Sequence, residues 1–328
     1  MTSCVSPISF FCRRLLAVGA CFLALSGTLQ ESQAQRVSPD ERKLQESLQK
    51  VYRSWGNAMR MKVYPEWAKH STTGLRREVE NQIRSQKMPF PRALFDSPLA
   101  APQVARLRFV RARAVGEEAQ LVYFGRIDLE GAGGGAELSE NLLVIWFGKE
   151  QGTWRVGQVQ VIDLDPLPLL RRNIKAFRYE ALDEKELTVD GKLPPVPNLA
   201  PKPDFSAKVF AVSFNEKAHV SINGGVSEHH FQANRAAQVV MGGLKKGKNT
   251  IRLEVSKLSG DEKPRDTVDD RAPFVVRLYM MPDDSRKELP VVVWSYEPED
   301  GKAPTDVIED TFVIDDAVLQ QRFRKVGE

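Results

Sequence analysis

The stretch NLLVIWFGKEQGTWRV, residues 141–156, contains two predicted strands and the turn that joins them. Asn141 to Phe147 is almost entirely apolar, which is typical of a central strand covered on both faces. A Glu-Gln-Gly turn follows, and Thr153 to Val161 then predicts a second strand with Trp154 and Val156 pointing inward. This hairpin predicts an antiparallel sheet in the first half of the chain.

Two further strands are predicted upstream of the hairpin. Between Arg106 and Ala114 apolar residues alternate with arginines, but the alternation slips by one position near Phe109. A β-bulge at that point restores both faces of the strand. Ala119 to Asp128 predicts the strand that pairs with it. Together with the hairpin, these segments predict a four-stranded meander.

Three helices are predicted before the meander. Ser38, Pro39 and Glu41 occupy the N-cap, N1 and N3 positions of a capping box. The apolar residues that follow share one helical face at a 3.6-residue period: Leu44, Leu48, Val51, Tyr52, Trp55 and Met59. A short helix is predicted from Tyr64 to Lys69 and a third from Thr73 to Gln86.

Three helices followed by a meander that closes on Gly152-Thr153-Trp154-Arg155-Val156 resemble the NTF2-like (cystatin-like) superfamily, an α+β cone of helices on a curved antiparallel sheet. The resemblance covers about residues 38 to 165, within a predicted domain of residues 35–165. It implies a pocket inside the cone and a domain that can form a homodimer. The aromatic residues expected to line that pocket, and hence to bind a ligand, are Trp55, Trp67, Tyr123 and Trp146.

Enzymes of that superfamily use a buried Asp, His or Tyr as base or donor, and the titratable residues nearest the implied pocket are His70 and Asp128. His70 follows Lys69 at a predicted helix end, where exposure to solvent or capping of the last carbonyls is the commoner role. A filled aromatic core, a ligand pocket and a catalytic pocket all fit the sequence. We assign no catalytic residue, metal or cofactor.

The rest of the chain predicts a linker and a second domain. Leu167 to Tyr179 predicts an appended helix within residues 166–204, and five prolines between Leu193 and Pro203 favour an extended linker. Residues 205–328 predict an antiparallel β-sandwich. Its strands are expected around Phe210-Val212-Phe214, His219 to Ile222, Ile251-Leu253-Val255, Phe274 to Met281, Pro290 to Tyr296 and Thr311 to Ile314. The layout resembles uncharacterised exported two-domain proteins of verrucomicrobia and planctomycetes, which implies a compartment and no activity.

The first 34 residues predict a secretory signal peptide. Arg13 and Arg14 precede the apolar run Leu15 to Leu25, and Ser32-Gln33-Ala34 supplies the small residues of a cleavage site. The run is shorter than the roughly 20 residues that a membrane-spanning helix needs. The sequence therefore predicts a secreted or periplasmic protein with no transmembrane segment.

A lipoprotein is the alternative to a freely exported chain. Val18-Gly19-Ala20-Cys21 resembles a lipobox, in which Cys21 would carry the lipid. All three cysteines, Cys4, Cys12 and Cys21, lie within the signal segment. A chain cleaved after Ala34 therefore contains no disulfide and no thiolate metal site.

Glu228, His229 and His230 form the densest cluster of candidate metal ligands, with His219 as a further ligand across a hairpin. Adjacent strand residues point to opposite faces, so His229 and His230 are predicted to be surface residues near a turn rather than ligands of one ion.

Three other segments have the composition of binding sites. The acidic segment 261–271 lacks the spacing of an EF-hand, and the glycine run 131–135 lacks the lysine and hydroxyl of a P-loop. The arginines at 106, 108, 111 and 113 are predicted to form an exposed sheet face rather than an anion site.

Composition limits the partners. The chain of 328 residues has 47 basic and 43 acidic residues, a balance that gives no case for nucleic acid. Its 42% hydrophobic and 27% charged residues are typical of a soluble globular protein. We expect an exported, non-catalytic protein that binds a small ligand or a protein partner. The alternatives are a structural envelope component and an NTF2-like enzyme, of isomerase or dehydratase type, acting on a small hydrophobic substrate.

Overall fold

The computed structural model describes residues 38–96, 101–127, 140–164, 167–183, 187–258, 273–284 and 288–321. The predicted signal peptide, Asp128, the glycine run and the acidic segment lie outside these residues. The chain divides into two compact units at Asn198 and Leu199, within the proline-rich segment. Glu80–Phe90, which the sequence places in the first domain, belongs to the second unit.

Three helices open the first unit, as predicted. They are α1 (Pro39–Arg60), α2 (Tyr64–His70) and α3 (Thr73–Ser85), whose last turns belong to the second unit. The Glu41 amide donates to the Ser38 hydroxyl over 3.1 Å, which forms one arm of the predicted capping box. The Glu41 carboxylate instead accepts from the Ala112 amide at 2.9 Å. This side chain therefore ties the start of α1 to the sheet.

The predicted meander is confirmed. Its strands are β1 (Arg108–Val115), β2 (Glu118–Arg126), β3 (Glu140–Glu150) and β4 (Thr153–Ile162), paired antiparallel in that order. The β1–β2 register shifts between Phe109 and Arg111, where the sequence predicts a β-bulge. The local alternation of side chains was sufficient to locate the bulge.

The central strand β3 is covered on both faces. Leu142 to Ile145 are fully buried. On one face, Gln49 of α1 donates to the Tyr123 hydroxyl at 2.7 Å. On the other, β1 is linked through Arg111 to the backbone at Leu182, beyond α4 (Pro168–Lys175).

The appended helix is shorter than predicted. It ends at Lys175, and Phe177 has a φ of 59° with 53% of its surface exposed. The backbone leaves the right-handed helical region at Phe177, so its side chain cannot continue the buried stripe of Leu170 and Ile174. The prediction of a helix to Tyr179 was wrong for this last turn.

Trp154 is a second correction. Val156 is fully buried, but Trp154 is only half-buried, and the Lys149 ammonium lies 5.5 Å from the centroid of its ring. Trp154 is the second residue of β4, directly after the turn at Gln151 and Gly152, and it pairs with Lys149 of β3. The inward prediction holds for Val156 and not for Trp154.

In the residues that the structure describes, the second unit contains a six-stranded antiparallel sheet and a short helix in addition to the last turns of α3. The elements are β5 (Ala207–Ile222), β6 (Ser227–Val239), β7 (Gly247–Lys257), β8 (Val275–Met280), β9 (Val291–Tyr296), β10 (Ile308–Ile314) and α5 (Asp316–Gln320). One edge of β5 pairs with β6. Its other edge pairs with β8 in the first half and with β7 in the second half.

This sheet folds back on itself. The β5–β6 register breaks between Ser213 and Lys217, and His229 Nδ1 lies 3.1 Å from Gln238 Oε1 although both belong to β6. At the far ends of the strand order, Trp294 of β9 donates to Asp310 of β10 over 2.9 Å. The two halves therefore enclose a common core within one continuous hydrogen-bonded sheet, where the sequence predicts two sheets.

Candidate functional site

Three of the four predicted ligand-binding residues are core residues of the first unit. Trp55, Trp67 and Tyr123 are 8%, 1% and 1% exposed. The Trp55 indole donates to the Ser71 hydroxyl at 3.0 Å, and that hydroxyl donates to the Trp67 carbonyl oxygen at 2.7 Å. Tyr123 accepts from Gln49. These hydrogen bonds hold the side chains of Trp55 and Tyr123 inside the protein, whereas the Trp67 indole nitrogen is buried without a hydrogen-bond partner among the described residues.

The fourth residue, Trp146, does not join this cluster. In the β2–β3 register Tyr123 is opposite Leu143, whereas Gln120 is opposite Trp146. Successive side chains of a strand point to alternate faces, so Leu143 and Trp146 lie on opposite faces of the sheet. Trp146 is half-buried beside Gln120, on the face that carries Arg111. The structure therefore does not gather the four aromatic residues around one cavity.

Two titratable residues of the first unit, Tyr123 and His70, have pKa values that are shifted mainly by burial. Burial raises the pKa of Tyr123 to about 12, against which the Gln49 hydrogen bond acts weakly in the lowering direction. His70 lies at the end of α2, half-buried, with Nε2 at 3.9 Å from Glu66. Burial, followed by the charge of Lys69, lowers the pKa of His70.

Two residues of the predicted arginine stripe are engaged rather than exposed. Arg111 donates to the carbonyl oxygens of Leu182 and Leu187 at 2.5 and 2.9 Å. Arg108 donates to the Ile174 carbonyl oxygen at the end of α4, and its guanidinium lies 4.3 Å from the Phe177 ring centroid. The prediction of an exposed face was wrong for these two arginines. The chain segment after β4 places backbone carbonyl oxygens beside them, and these oxygens need hydrogen-bond donors.

The histidines of the candidate metal cluster lie on two different faces of the sheet, as the alternation of side chains along a strand requires. His219 and His230 are cross-strand neighbours whose rings stack at 4.4 Å, and His219 Nε2 lies 2.5 Å from Glu228. His229 points to the other face, is 3% exposed, and contacts the Ser227 hydroxyl at 2.8 Å. The prediction of a surface position was therefore wrong for His229. Within the described residues, no group of three or more His, Cys, Asp or Glu side chains has the arrangement of a metal site.

A groove with a volume of about 640 Å³ opens on the outer face of strands β6, β5 and β8. The inner face of β5 carries Val209 and Ala211, both fully buried, so the alternate residues of that strand point outward into the groove. The apolar side chains that form most of its floor are Phe210, Val212, Phe214, Val275, Tyr279 and Met281. A half-buried apolar surface therefore lies on the side of the sheet away from the core.

Three cations surround this floor. Arg277 donates from Nε to Glu297 at 2.7 Å, and this ion pair raises the pKa of the guanidinium. The Arg235 guanidinium lies 5.5 Å from the Phe210 ring centroid. Lys208 precedes Phe210 on the same face. In the part of the chain that the structure describes, neither Lys208 nor Arg235 pairs with an acidic side chain, and the groove lining contains no carboxylate.

Sequence reasoning missed this groove, although one signal for it was available. Residues 209–212 are apolar at every position, so alternation predicts a strand but does not say which face is inward. A strand that is apolar on both faces either has cover on both, as β3 does, or presents one face to a partner. The cations on β6 and β8 belong to other strands, and only the pairing register brings them to Phe210.

No family model, curated protein or solved structure matches this chain. Among the described residues, no helix is both long and apolar enough to cross a membrane.

Proposed function

We propose that this protein is a non-catalytic binding protein that recognises its partner in the groove of the second unit. The observation that carries the proposal is an apolar floor, centred on Phe210, on the outer face of a sheet whose inner face is packed core. Contiguous apolar surface with a charged rim is typical of a binding site. The volume of about 640 Å³ lies within the range of ligand sites, about 300–1,000 Å³.

The contrast with the first unit supports this location. There the indole of Trp55 and the hydroxyl of Tyr123 already have hydrogen-bond partners inside the protein. A ligand at these residues would have to displace packed side chains. In the groove, Lys208 and Arg235 offer charged donors beside exposed apolar surface, so a partner can bind without breaking an internal ion pair.

The fold and the compartment are further parts of the proposal. The order of three helices and a four-stranded meander supports an NTF2-like cone for the first unit. The folded-back sheet supports a β-sandwich for the second. The charged, apolar and small-residue order of residues 13–34 supports export, with lipidation at Cys21 as the alternative. A homodimer through the first unit stays a prediction.

Binding of an uncharged, environment-sensitive apolar dye tests the site without assuming the charge of the partner. Phe210→Ser should weaken dye binding by about tenfold or more, since it removes the centre of the floor. Phe177→Ser, which removes an exposed aromatic residue of the first unit, serves as the matched control and should leave binding unchanged. Equal dye binding by the wild type and Phe210→Ser would place the apolar binding site elsewhere.

A further inference from the structure

We propose that the partner in the groove is an extended acidic peptide segment with carboxylates at positions i and i+4 and an apolar side chain at i+2. This inference rests on the proposed function and names the chemistry of the partner. It is carried by two cations that have no acidic partner among the described residues, Lys208 and Arg235, whose rows of the sheet lie on either side of the row of Phe210.

The pairing register determines this placement. Lys208, Phe210 and Val212 lie at every second position of β5 and point into the groove. Arg235 is the cross-strand neighbour of Val212 on β6. Because a strand rises about 3.3 Å per residue, the backbone rows that carry Lys208 and Arg235 are separated by roughly 13 Å along β5, with the row of Phe210 midway between them. The Arg235 side chain leans back from its row, so that its guanidinium lies 5.5 Å from the Phe210 ring centroid.

An extended peptide has the same repeat as the strand beneath it. Its side chains at i, i+2 and i+4 point to one side and span the same roughly 13 Å. Two carboxylates at i and i+4 therefore lie over the rows of Lys208 and Arg235 when the residue at i+2 rests on Phe210, and the Arg235 side chain turns from the Phe210 ring towards the second carboxylate. A shift of one position turns all three side chains away from the groove. The arrangement thus selects a spacing as well as a charge.

The charge of the lining favours an acidic partner over a basic or neutral one. Arg277 is neutralised by Glu297, but Lys208 and Arg235 have no acidic partner among the described residues. Single exposed ion pairs contribute little to affinity. Selective binding therefore requires both carboxylates and the apolar residue together. A polyanion such as a sulfated polysaccharide supplies charge but no apolar group at the midpoint.

The test compares two labelled peptides of one composition by fluorescence anisotropy with the purified protein. The matched peptide is Ser-Glu-Thr-Leu-Thr-Glu-Ser, and the shuffled peptide is Ser-Thr-Glu-Glu-Leu-Thr-Ser. The matched peptide should bind about tenfold more tightly or better. Lys208→Ala and Arg235→Ala should each weaken its binding by about threefold or more, more strongly at low salt. Lys302→Ala removes an exposed lysine that does not line the groove and should have no effect.

A charge exchange separates recognition from general attraction. Lys208→Glu should lose the matched peptide, and a peptide with Lys in place of one Glu should regain binding to that variant. Equal affinity for matched and shuffled peptides overturns the proposed spacing. Competition by heparin at lower concentration than the matched peptide, through the same cations, overturns a peptide partner. If the wild-type protein binds the dye in a manner that depends on Phe210 but does not bind the peptide, this inference is overturned and the proposed function stands. If the wild-type protein binds neither the dye nor the peptide, both are overturned.

Discussion

In the first unit Trp55, Trp67 and Tyr123 are buried between helices and sheet, whereas in the second unit Phe210 and Tyr279 line an open groove. The first unit contains four of the five tryptophans of the chain. This high number results from the packing of the unit and does not indicate a ligand site. Burial of a large aromatic side chain stabilises a fold. Aromatic residues on the covered face of an element stabilise the fold, whereas those on an uncovered face remain available to a partner.

Two single strands, β3 and β5, differ in the same way as the two units. Both are apolar on both faces, from Leu142 to Phe147 in β3 and from Val209 to Val212 in β5. Elements on both sides of the sheet cover β3. The outer face of β5 instead forms the floor of the groove. Residues of similar hydrophobicity therefore have a structural role in one strand and a proposed binding role in the other.

The largest effect that the comparison predicts is on stability in the first unit. Trp67→Ala should lower the free energy of unfolding by about 3–5 kcal/mol, because a 1% exposed indole leaves a large cavity. Denaturant unfolding followed by circular dichroism measures the loss. A loss of less than about 1 kcal/mol would contradict the assignment of this residue to the core.

Alkaline pH should also lower the free energy of unfolding, mainly through residues of the first unit. Burial raises the pKa of Tyr123 to about 12 from the ordinary value of 10, so the folded state keeps a proton that the unfolded chain loses near pH 10. Burial, with Tyr123 close by, raises the pKa of Tyr52 as well. Stability should therefore be intact below pH 10 and decline as pH rises towards 12, with Tyr123 contributing about 2–3 kcal/mol.

Tyr123→Phe provides the matched control for this pH effect. The variant keeps the ring and lacks the titrating hydroxyl, so its unfolding free energy should fall less steeply between pH 10 and pH 12 than that of the wild type. Identical slopes in the two proteins would show that Tyr123 titrates at its ordinary pKa and is not held in the core.

A smaller loss is expected at Trp154. This residue is half-buried at the start of β4 and contacts Lys149 through its ring, so Trp154→Ala should cost about 1–2 kcal/mol. The sequence alone predicts a fully inward tryptophan and hence a loss of about 3–5 kcal/mol. Chemical denaturation of Trp154→Ala beside Trp67→Ala distinguishes the two values. Equal losses would restore the inward position.

The sequence predicted those features of the fold that depend on local periodicity. The slip near Phe109 located a β-bulge, and the apolar run from Asn141 identified a central strand. The errors concern residues whose surroundings come from elsewhere in the chain. Whether Trp154 is covered, and which carbonyl oxygens Arg111 reaches, depends on elements that local patterns do not place.

The same limit applies to the candidate site. Alternation around Phe210 predicted a strand, but the neighbouring apolar residues left its inward face undetermined. Arg235 and Arg277 lie on two other strands, and their proximity to Phe210 follows from the pairing of Val212 with Arg235 and of Phe210 with Arg277, across 23 and 67 positions of the chain. A constellation assembled by long-range register cannot be recognised from composition or from short motifs.

The smallest effect on stability is expected at the centre of the groove. Phe210 is half-buried on the outer face of β5, and its ring contacts Arg235 rather than the core residues on the inner face. Phe210→Ser should therefore change the free energy of unfolding by about 1 kcal/mol or less. The variant should keep the wild-type unfolding transition while it loses ligand binding, the reverse of what Trp67→Ala should show. Denaturant unfolding and dye titration on the same preparation measure both quantities. A loss of more than about 3 kcal/mol would mean that Phe210 is held as tightly as a core residue, and the distinction between a packed first unit and a binding second unit would then fail.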